Sequence, residues 1–375
     1  MKKIIIFYAS YGGGHLSAAK SIENHIKKYY PENKVQLIDC VKYVNKRIEK
    51  ISTSAYKEMA KKIPWAWGKI YNDSQRGPLA HISSRANAIM AIKLSKLLKT
   101  EKPDLIISTH PFGSQMCGYL KRKRKIDSEI ATIMTDFKSH DQWLVENKYI
   151  DYFFVSNQNM KQELINKNIN SSKIFVTGIP VGEKFLNKYD KLEILNNLNF
   201  SENKKTILFF AGGEFGLGKS KTLEIFENLV KNFDDIQIIA ISGKNEKMKN
   251  DFIKIATENN KQHSVKILEY TDKVAEFMSI STLVITKPGG LTTTESMVSK
   301  LPMIIINPIP GQEEENAEFL ENNNVAIWLK KHDDINFTLN SVLNNLNIIN
   351  NMKENIELIS KPNSTEDICK ILLKK

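Results

Sequence analysis

Thr286-Lys287-Pro288-Gly289-Gly290-Leu291-Thr292-Thr293-Thr294-Glu295 reads as the end of one element and the start of another. The apolar run from Thr282 to Thr286 predicts a strand, Pro288-Gly289-Gly290 breaks it, and the hydroxyl-rich segment beyond restarts as a helix. A strand passing through a tight break into a helix is the building unit of a parallel α/β sheet. The first turn of such a helix has backbone N–H groups without intrahelical partners, which makes Gly289, Gly290, Leu291 and Thr292 an anion site. Glu295, one to two turns on, is placed to accept hydrogen bonds from vicinal ribose hydroxyls while a diphosphate rests at the dipole end. A plain strand-to-helix turn capped by Thr has the same appearance, so the following segment carries the decision.

That segment is a strand from Pro302 to Asn307 and then Pro310-Gly311-Gln312-Glu313-Glu314-Glu315-Asn316, which opens a helix through Leu320. An amide beside a carboxylate, Gln312 with Glu313, suits hexose hydroxyls, because each of them both donates and accepts. The acidic run also favours a helix N-terminus electrostatically, whatever its function. Lys287 adds positive charge or is a solvated strand end.

Working outward, strands are predicted at Lys3 to Tyr8, Val35 to Ile38, Leu105 to Ser108, Ile130 to Thr135, Tyr152 to Val155 and Ile174 to Thr177, with helices such as Ser17 to Tyr29 and Ala86 to Leu98 between them. A second series follows at Thr206 to Ala211, Ile236 to Ile241, Val265 to Leu268, Leu283 to Thr286, Met303 to Ile306 and Ala326 to Trp328. The chain reads as α/β, with two parallel sheets joined through Gly182 to Phe200. The expected domains are 1–185 and 186–354, with 355–375 packing back on the first through a helix from Thr365 to Lys374. Asn344 to Asn351 is Asn-rich yet keeps Leu and Ile at helical spacing. Ligands of open parallel sheets bind at the carboxyl ends of strands, and each motif named here lies at such an end.

With 375 residues, 41% of them hydrophobic, the chain is long enough for two cores. Cys40, Cys117 and Cys369 are too few and too scattered for a disulfide framework or zinc cluster, and point to a reducing cytoplasm. The apolar run Ile4 to Ala9 leads into a glycine loop, as a buried first strand does and a signal peptide does not. No apolar stretch approaches the ~18 residues of a membrane span, so membrane contact is expected to be peripheral.

The charge is unevenly placed. Residues 1–185 hold 31 Lys and Arg against 16 Asp and Glu, and residues 186–375 hold 23 against 26. From Lys42 to Lys69 basic residues, Lys61 and Lys62 among them, interleave with Tyr56, Trp65 and Trp67, and a second basic run spans Lys121 to Lys125. Such interleaving suits an anionic membrane surface. It would also serve nucleic acid, but no nucleic-acid motif accompanies it, and no nucleic-acid partner is expected. For Lys121 to Lys125 a solvated face explains the run equally well.

Several motifs in one order carry a resemblance. Ser10-Tyr11-Gly12-Gly13-Gly14-His15, Thr135-Asp136-Phe137 with His140 and Trp143, Thr177-Gly178-Ile179-Pro180 and the two segments quoted above resemble glycosyltransferase family 28, with its processive diacylglycerol β-glucosyltransferases and monogalactosyldiacylglycerol synthases. The likeness spans most of the chain. The spacing of Asp136, His140 and Trp143 is similar to the glucosyltransferase branch, and the triple glycine before His15 to the galactosyltransferase branch. The resemblance implies the GT-B fold, two facing Rossmann-like domains, with acceptor binding in the first and UDP-sugar binding in the second. It also implies a glycine-rich loop at Gly212 and Gly213 near the donor, and a nucleotide loop at Tyr270 and Thr271, where backbone groups read the uracil edge and Tyr270 packs on its face.

Gly213 to Ser220 also matches the Walker A pattern. A P-loop NTPase needs a later strand ending in an acidic magnesium ligand, whereas the later strands here end in Ser242, Thr286 and Asn307. The ATPase reading is therefore set aside.

For sugar transfer the enzyme must stabilise the departing diphosphate and deprotonate an alcohol. No Asp-x-Asp motif is present to carry Mg²⁺, so the expectation is no metal and no cofactor, with helix N–H groups stabilising the leaving group. His15 is the candidate base, exposed by Gly13 and Gly14, with an ordinary pKa near 6.5 suited to neutral pH. It also fits a capping histidine of a common βα loop. Asp136 is expected to orient His15, bind the acceptor or act as the base, and His140 and Trp143 to contact the acceptor, with core packing open for Trp143. The reading is an inverting transferase on the inner face of the cell membrane, moving glucose or galactose from UDP to diacylglycerol, with processive addition open. Alternatives are transfer of N-acetylglucosamine to a polyprenyl-linked acceptor, a UDP-sugar 2-epimerase and a non-catalytic UDP-sugar sensor.

Overall fold

The computed structural model describes residues 1–10, 13–44, 78–211 and 218–374, with 78–89 described by backbone alone. Trp65, Trp67, Lys61, Lys62, Gly212 and Gly213 lie outside the described residues. The chain divides into two units, one formed by Met1–Gly182 and Lys361–Lys375, the other by Glu183–Ser360.

The first unit is built on six parallel strands, β1 Lys3–Tyr8, β2 Lys34–Asp39, β3 Leu105–Ser108, β4 Glu129–Ile133, β5 Tyr152–Val155 and β6 Ile174–Val176, in the order β2-β1-β3-β4-β5-β6. Ile4, Ile5, Ile6 and Phe7 are all buried, as expected of a strand covered on both faces. Alternation sends Ile5 and Phe7 into one core with Ile106, Ile130 and Phe153, and Ile4 and Ile6 into the other with Ile107, Ile133 and Phe154. Each such side chain contributes roughly 1.5–3 kcal/mol on burial. The helix Gly14–Tyr29 lays Ile22 and Ile26 on the second core, and the helix Ser364–Leu373 adds Ile368, Cys369 and Leu372 to it.

The second unit repeats the plan with β7 Lys205–Phe210, β8 Ile236–Ile241, β9 Val265–Leu268, β10 Leu283–Thr286, β11 Met303–Ile305 and β12 Ala326–Trp328, ordered β12-β11-β10-β7-β8-β9 and parallel throughout. Phe209 on β7 meets Phe226 and Phe252 from two flanking helices, with ring centroids 5.6 and 5.7 Å away. Ile349 of the Asn-rich segment, and Met352 just beyond it, face the same core from the helix Leu346–Ile359.

All twelve predicted strands are present, most within a residue or two of their expected ends. The segment from Gly182 to Phe200 is more than a connector. Asp190 caps a helix at Lys191–Leu198, Asn199 ends it in the left-handed region, and Ile194 and Leu195 are buried, so this stretch belongs to the second unit. Near the return crossing, Ser364 Oγ donates to Ile179 O at 2.8 Å, Thr365 Oγ1 donates to Val181 O at 2.8 Å, and Val181 N donates to Thr365 Oγ1 at 3.1 Å. Gly178 has φ +88°, and a Cβ there would stand 2.5 Å from Lys361 Cβ, which explains the glycine in Thr177-Gly178-Ile179-Pro180. Among the described residues no helix is long and apolar enough to cross a membrane.

Candidate active site

In each unit the strand order reverses direction at one place, between β1 and β3 in the first and between β7 and β10 in the second. The loops leaving the two strands part there and open a crevice at their carboxyl ends. His15 follows β1 at the first of these points and Gly289 to Thr292 follow β10 at the second, while Tyr270 and Thr271 follow the edge strand β9 and Gln312 and Glu313 follow β11.

In the first unit, the loop after β1 delivers His15 to the first turn of Gly14–Tyr29, and the loop after β3 delivers Thr109 and His110. His15 Nδ1 lies 2.6 Å from Thr109 O, and Thr109 Oγ1 returns a bond to His15 O at 2.8 Å. A ring nitrogen facing a carbonyl must carry the proton, so the neutral ring is the Nδ1–H tautomer and Nε2 keeps its lone pair. Thr135 Oγ1 is 3.1 Å from the same Nδ1. Burial lowers the imidazole from 6.5 to about 4, against a smaller upward pull from the Thr109 carbonyl. His15 is thus neutral at pH 7, with a basicity well below the ordinary value expected from sequence. A Cβ on Gly13 would meet nothing within 4 Å, so space beside the loop is open.

The loop bearing Asp136 is strapped from the adjoining βα turn. Ser156 Oγ donates to Asp136 O at 2.8 Å, Asn157 Nδ2 to Phe137 O at 2.9 Å, and Ser139 Oγ to Glu163 Oε2 at 2.5 Å. These bonds hold three loop residues in place around the buried Asp136. The hydroxyl that reaches the His15 ring belongs to Thr135, the residue before Asp136.

Two acceptor candidates have other work. Trp143 is 3% exposed and packs in the core with Met116, Ile130 and Ile150, because the 3-10 turn Asp141–Leu144 turns its ring inward; it is a core residue. His140 caps that turn, its Nδ1 accepting from Gln142 N at 3.1 Å. The run Lys121 to Lys125 is partly consumed as well. Lys121 pairs with Asp151 at 2.5 Å and Arg122 with Glu146 at 2.8 Å, which reduces the charge available to a surface.

In the second unit, β10 ends at Thr286 and the helix Gly290–Val298 begins at Gly289, with no side chain capping it and no acidic residue in its first turn. Thr293 Oγ1 bonds back to Gly289 O at 2.9 Å and Thr294 Oγ1 to Gly290 O at 2.6 Å, so these hydroxyls serve their own helix. The N–H groups at the helix start have no intrahelical acceptor and no side-chain cap, the chemistry of an anion site. A Cβ on Gly289 would touch nothing within 4 Å. Burial raises Glu295 from 4.5 to about 7, with Lys184 pulling the other way. Burial lowers Lys287, and Glu313 opposes that shift, so the two sequence candidates feel each other.

The turn before Gln312 is built by its acids. Glu313 Oε2 accepts from Ile309 N at 2.7 Å, and Glu314 Oε2 from Gly311 N at 3.1 Å. Asn316 Nδ2 donates to Pro288 O at 3.1 Å, tying this helix to the Pro-Gly-Gly break. Tyr270 is 76% exposed beyond β9, and Thr271 Oγ1 accepts from Lys273 N at 3.1 Å. The Walker-like lysine is engaged elsewhere, since Lys219 pairs with Asp251 at 2.6 Å. Gly218, at φ +69°, leaves room for Asn307, whose Cγ would stand 2.4 Å from a Cβ. Thr109 lies outside every motif quoted from the sequence, and Thr135 and Asn316, which lie inside such motifs without a role of their own, join it in bonding to candidate segments.

Known proteins fit this arrangement. The model of the monogalactosyldiacylglycerol synthase family matches residues 15–181, and that of UDP-N-acetylglucosamine 2-epimerase matches residues 145–373. Among solved structures, Acinetobacter baumannii MurG superimposes with a TM-score of 0.68 at 13% identity over all of both chains. The UDP-GlcNAc 2-epimerase from Neisseria meningitidis does so with 0.63 at 14%, again over all of both chains. These two share the fold, the GT-B class of paired Rossmann-like units. A protein of Bacillus subtilis (strain 168) named processive diacylglycerol beta-glucosyltransferase is 30% identical over 386 residues, covering 100% of this chain and 95% of its own. Its Bacillus licheniformis namesake is 30% identical over 376 residues, covering 98% and 93%. Because this identity runs through both units, the chain belongs to the glycosyltransferase family of processive diacylglycerol β-glucosyltransferases and monogalactosyldiacylglycerol synthases.

Proposed function

We propose that the protein transfers a hexose from a UDP-sugar to diacylglycerol with inversion, giving a β-linked glycolipid. The observation that carries this reading is full-length identity to proteins named for that reaction, which spans the acceptor-side unit as well as the nucleotide-sugar unit. A 2-epimerase needs no lipid acceptor, and its family model leaves residues 1–144 unmatched.

Each candidate has a role in this chemistry. The N–H groups opening the helix Gly290–Val298 take the diphosphate and stabilise the charge that grows as it departs, with no metal required. Glu295 accepts from ribose hydroxyls, Gln312 and Glu313 bind the hexose, and Tyr270 and Thr271 receive the uracil, with Gly212 and Gly213 close to the donor. His15 Nε2 removes the proton of the acceptor hydroxyl, while the Thr109 carbonyl holds the ring and stabilises the imidazolium that forms. Asp136 lies in the neighbouring loop as an acceptor ligand. Glucose is the favoured donor, as in the names of the full-length relatives, and galactose the second reading, from the family model over residues 15–181. The basic, Trp-bearing segment from Lys42 to Lys69 would hold the enzyme to the inner membrane face, and a product that re-enters as acceptor would make the reaction processive.

The test is incubation with diacylglycerol vesicles and labelled UDP-glucose or UDP-galactose, in the presence and absence of EDTA, followed by lipid separation. A labelled β-glycolipid formed in EDTA is expected. No lipid product from either donor, despite UDP binding, would overturn the acceptor assignment.

A further inference from the structure

His110 is a second histidine at the crevice of the first unit, and no role has been given to it. Its ring stands edge-on to His15, with centroids 4.6 Å apart and an interplanar angle of 76°. It caps the helix Pro111–Arg122, its Nδ1 accepting from Phe112 N at 3.2 Å, so its neutral form carries the proton on Nε2. His15 has the opposite tautomer, fixed by Thr109 O at 2.6 Å. Ser108 Oγ donates to His110 O at 2.7 Å, and Thr109 N donates to Phe7 O at 2.9 Å, so the segment from Ser108 to His110 is fastened on both sides of the carbonyl that holds His15. The His110 ring itself is 7% exposed and packs on Phe112, with centroids 4.7 Å apart.

We propose that His110 is a positioning residue for the reaction, its ring shielding one side of the His15 imidazole from water and keeping it in the neutral Nδ1–H form. The proposal rests on His15 being the base. Its physical content is desolvation: two imidazoles at this spacing cannot both be charged, and a ring packed at the edge of another removes the water that would solvate an imidazolium. Among the described residues, the groups facing His15 from the packed elements are the Thr109 carbonyl from the loop after β3, the Thr135 hydroxyl from the loop after β4, and His110 itself. Of the carboxylates at this edge of the sheet, Asp39 ends β2 and is bonded to Ser10 and to the N–H groups of Val41 and Lys42, and Asp136 lies in the loop after β4. None of these charges is among the causes that set the His15 pKa.

Two substitutions separate the ring from the cap. His110→Asn keeps an acceptor for the Phe112 N–H and removes the ring, while His110→Phe keeps an aromatic edge and removes the cap. The readout is the ring ¹⁵N spectrum of His15 in the full chain, titrated from about pH 5.5 to about pH 8, the range in which an unperturbed histidine changes charge. In the unsubstituted protein and in His110→Phe, His15 is expected to stay neutral and Nδ1-protonated throughout. In His110→Asn it is expected to titrate within this window, its pKa moving from about 4 towards 6.5, and the acid limb of kcat/KM for the acceptor should follow. An unmoved His15 in His110→Asn, or an equal rise in both variants, would overturn the proposal. The spectrum reports on His15 whether or not it is the base, so a shift in the spectrum with an unmoved rate profile would count against the base assignment alone.

Discussion

Asn316 donates its side-chain amide to the carbonyl of Pro288 at 3.1 Å, with only 1% of its surface exposed. The bond joins the start of one helix to the break that precedes another. It therefore fixes the spacing between Gln312–Glu313 and Gly289–Gly290, the pairs assigned to hexose and diphosphate. Asn316→Ala would leave a buried carbonyl without this donor, at a cost of about 1–3 kcal/mol. A lower urea midpoint is expected, with affinity for the UDP-sugar falling roughly tenfold. Unchanged affinity measured by calorimetry would show that the two segments keep their spacing without it.

The missing cap at Gly289 makes an opposite pair of effects. Its φ −69° and ψ 133° suit any capping residue, and a Cβ there meets no atom within 4 Å. Gly289→Asp should therefore stabilise the second unit by only about a few tenths of a kcal/mol, because glycine is itself a tolerated N-cap residue, through bonds to the helix N–H groups. The same carboxylate would occupy the diphosphate position, and UDP binding should fall on the order of a hundredfold by like-charge repulsion. Greater stability with intact UDP binding would remove the diphosphate from this helix.

His15→Ala is expected to lower kcat by about 10²–10⁴-fold while UDP still binds. Donor binding is assigned to the other unit, so the dissociation constant of UDP should not move. Loss of UDP binding together with activity, or activity retained in full, would end the assignment of His15 as base.

Stability should depend on pH through the same group. Burial holds His15 at about 4 in place of 6.5, so across that interval the unfolded chain takes up a proton that the folded chain refuses. The contribution is complete above 6.5 and is lost as the pH falls towards 4. His110 is displaced downward too, by burial first and His15 second, and acts in the same direction. Glu295 opposes both, since its rise from 4.5 to about 7 gives a contribution that is full below 4.5 and lost as the pH climbs through 7. Urea midpoints at about pH 7 and about pH 5.5 should differ less in His15→Gln than in the unsubstituted protein. An equal difference in both would mean that His15 is solvated in the folded state.

The strands are legible because most are short apolar runs closed by Gly, Pro or a small polar residue, and buried parallel strands leave that signature. The Pro-Gly-Gly break between strand and helix is legible because backbone geometry dictates it within a few residues. The bonds that Thr109 and Thr135 make to the His15 ring are not legible, since each acts through one oxygen on a ring far away in sequence, even though Thr135 stands in a quoted motif. Their places could have been inferred from sheet order alone, because the residues following β3 and β4 lie on the side of β1 where its own loop opens. For Trp143 the sequence leaves ligand contact and core packing both open, as an aromatic in a loop serves either, and the turn at Asp141–Leu144 decides which way it faces. The downward pull of burial on His15 is not legible in sequence, because desolvation depends on what the fold packs around the ring.

The helix Ser364–Leu373 places Ile368, Cys369 and Leu372 in a core begun by Ile4 and Ile6, and the whole of the second unit is encoded between them. A ribosome must therefore finish Glu183–Ser360, a continuous stretch with its own core, before it releases the last piece of the first unit. During synthesis the unit translated first is completed last, and its apolar sheet face waits partly uncovered while its neighbour folds. Removing the final helix would leave nascent chains with a finished second half and an unfinished first, the species on which a chaperone or protease would act.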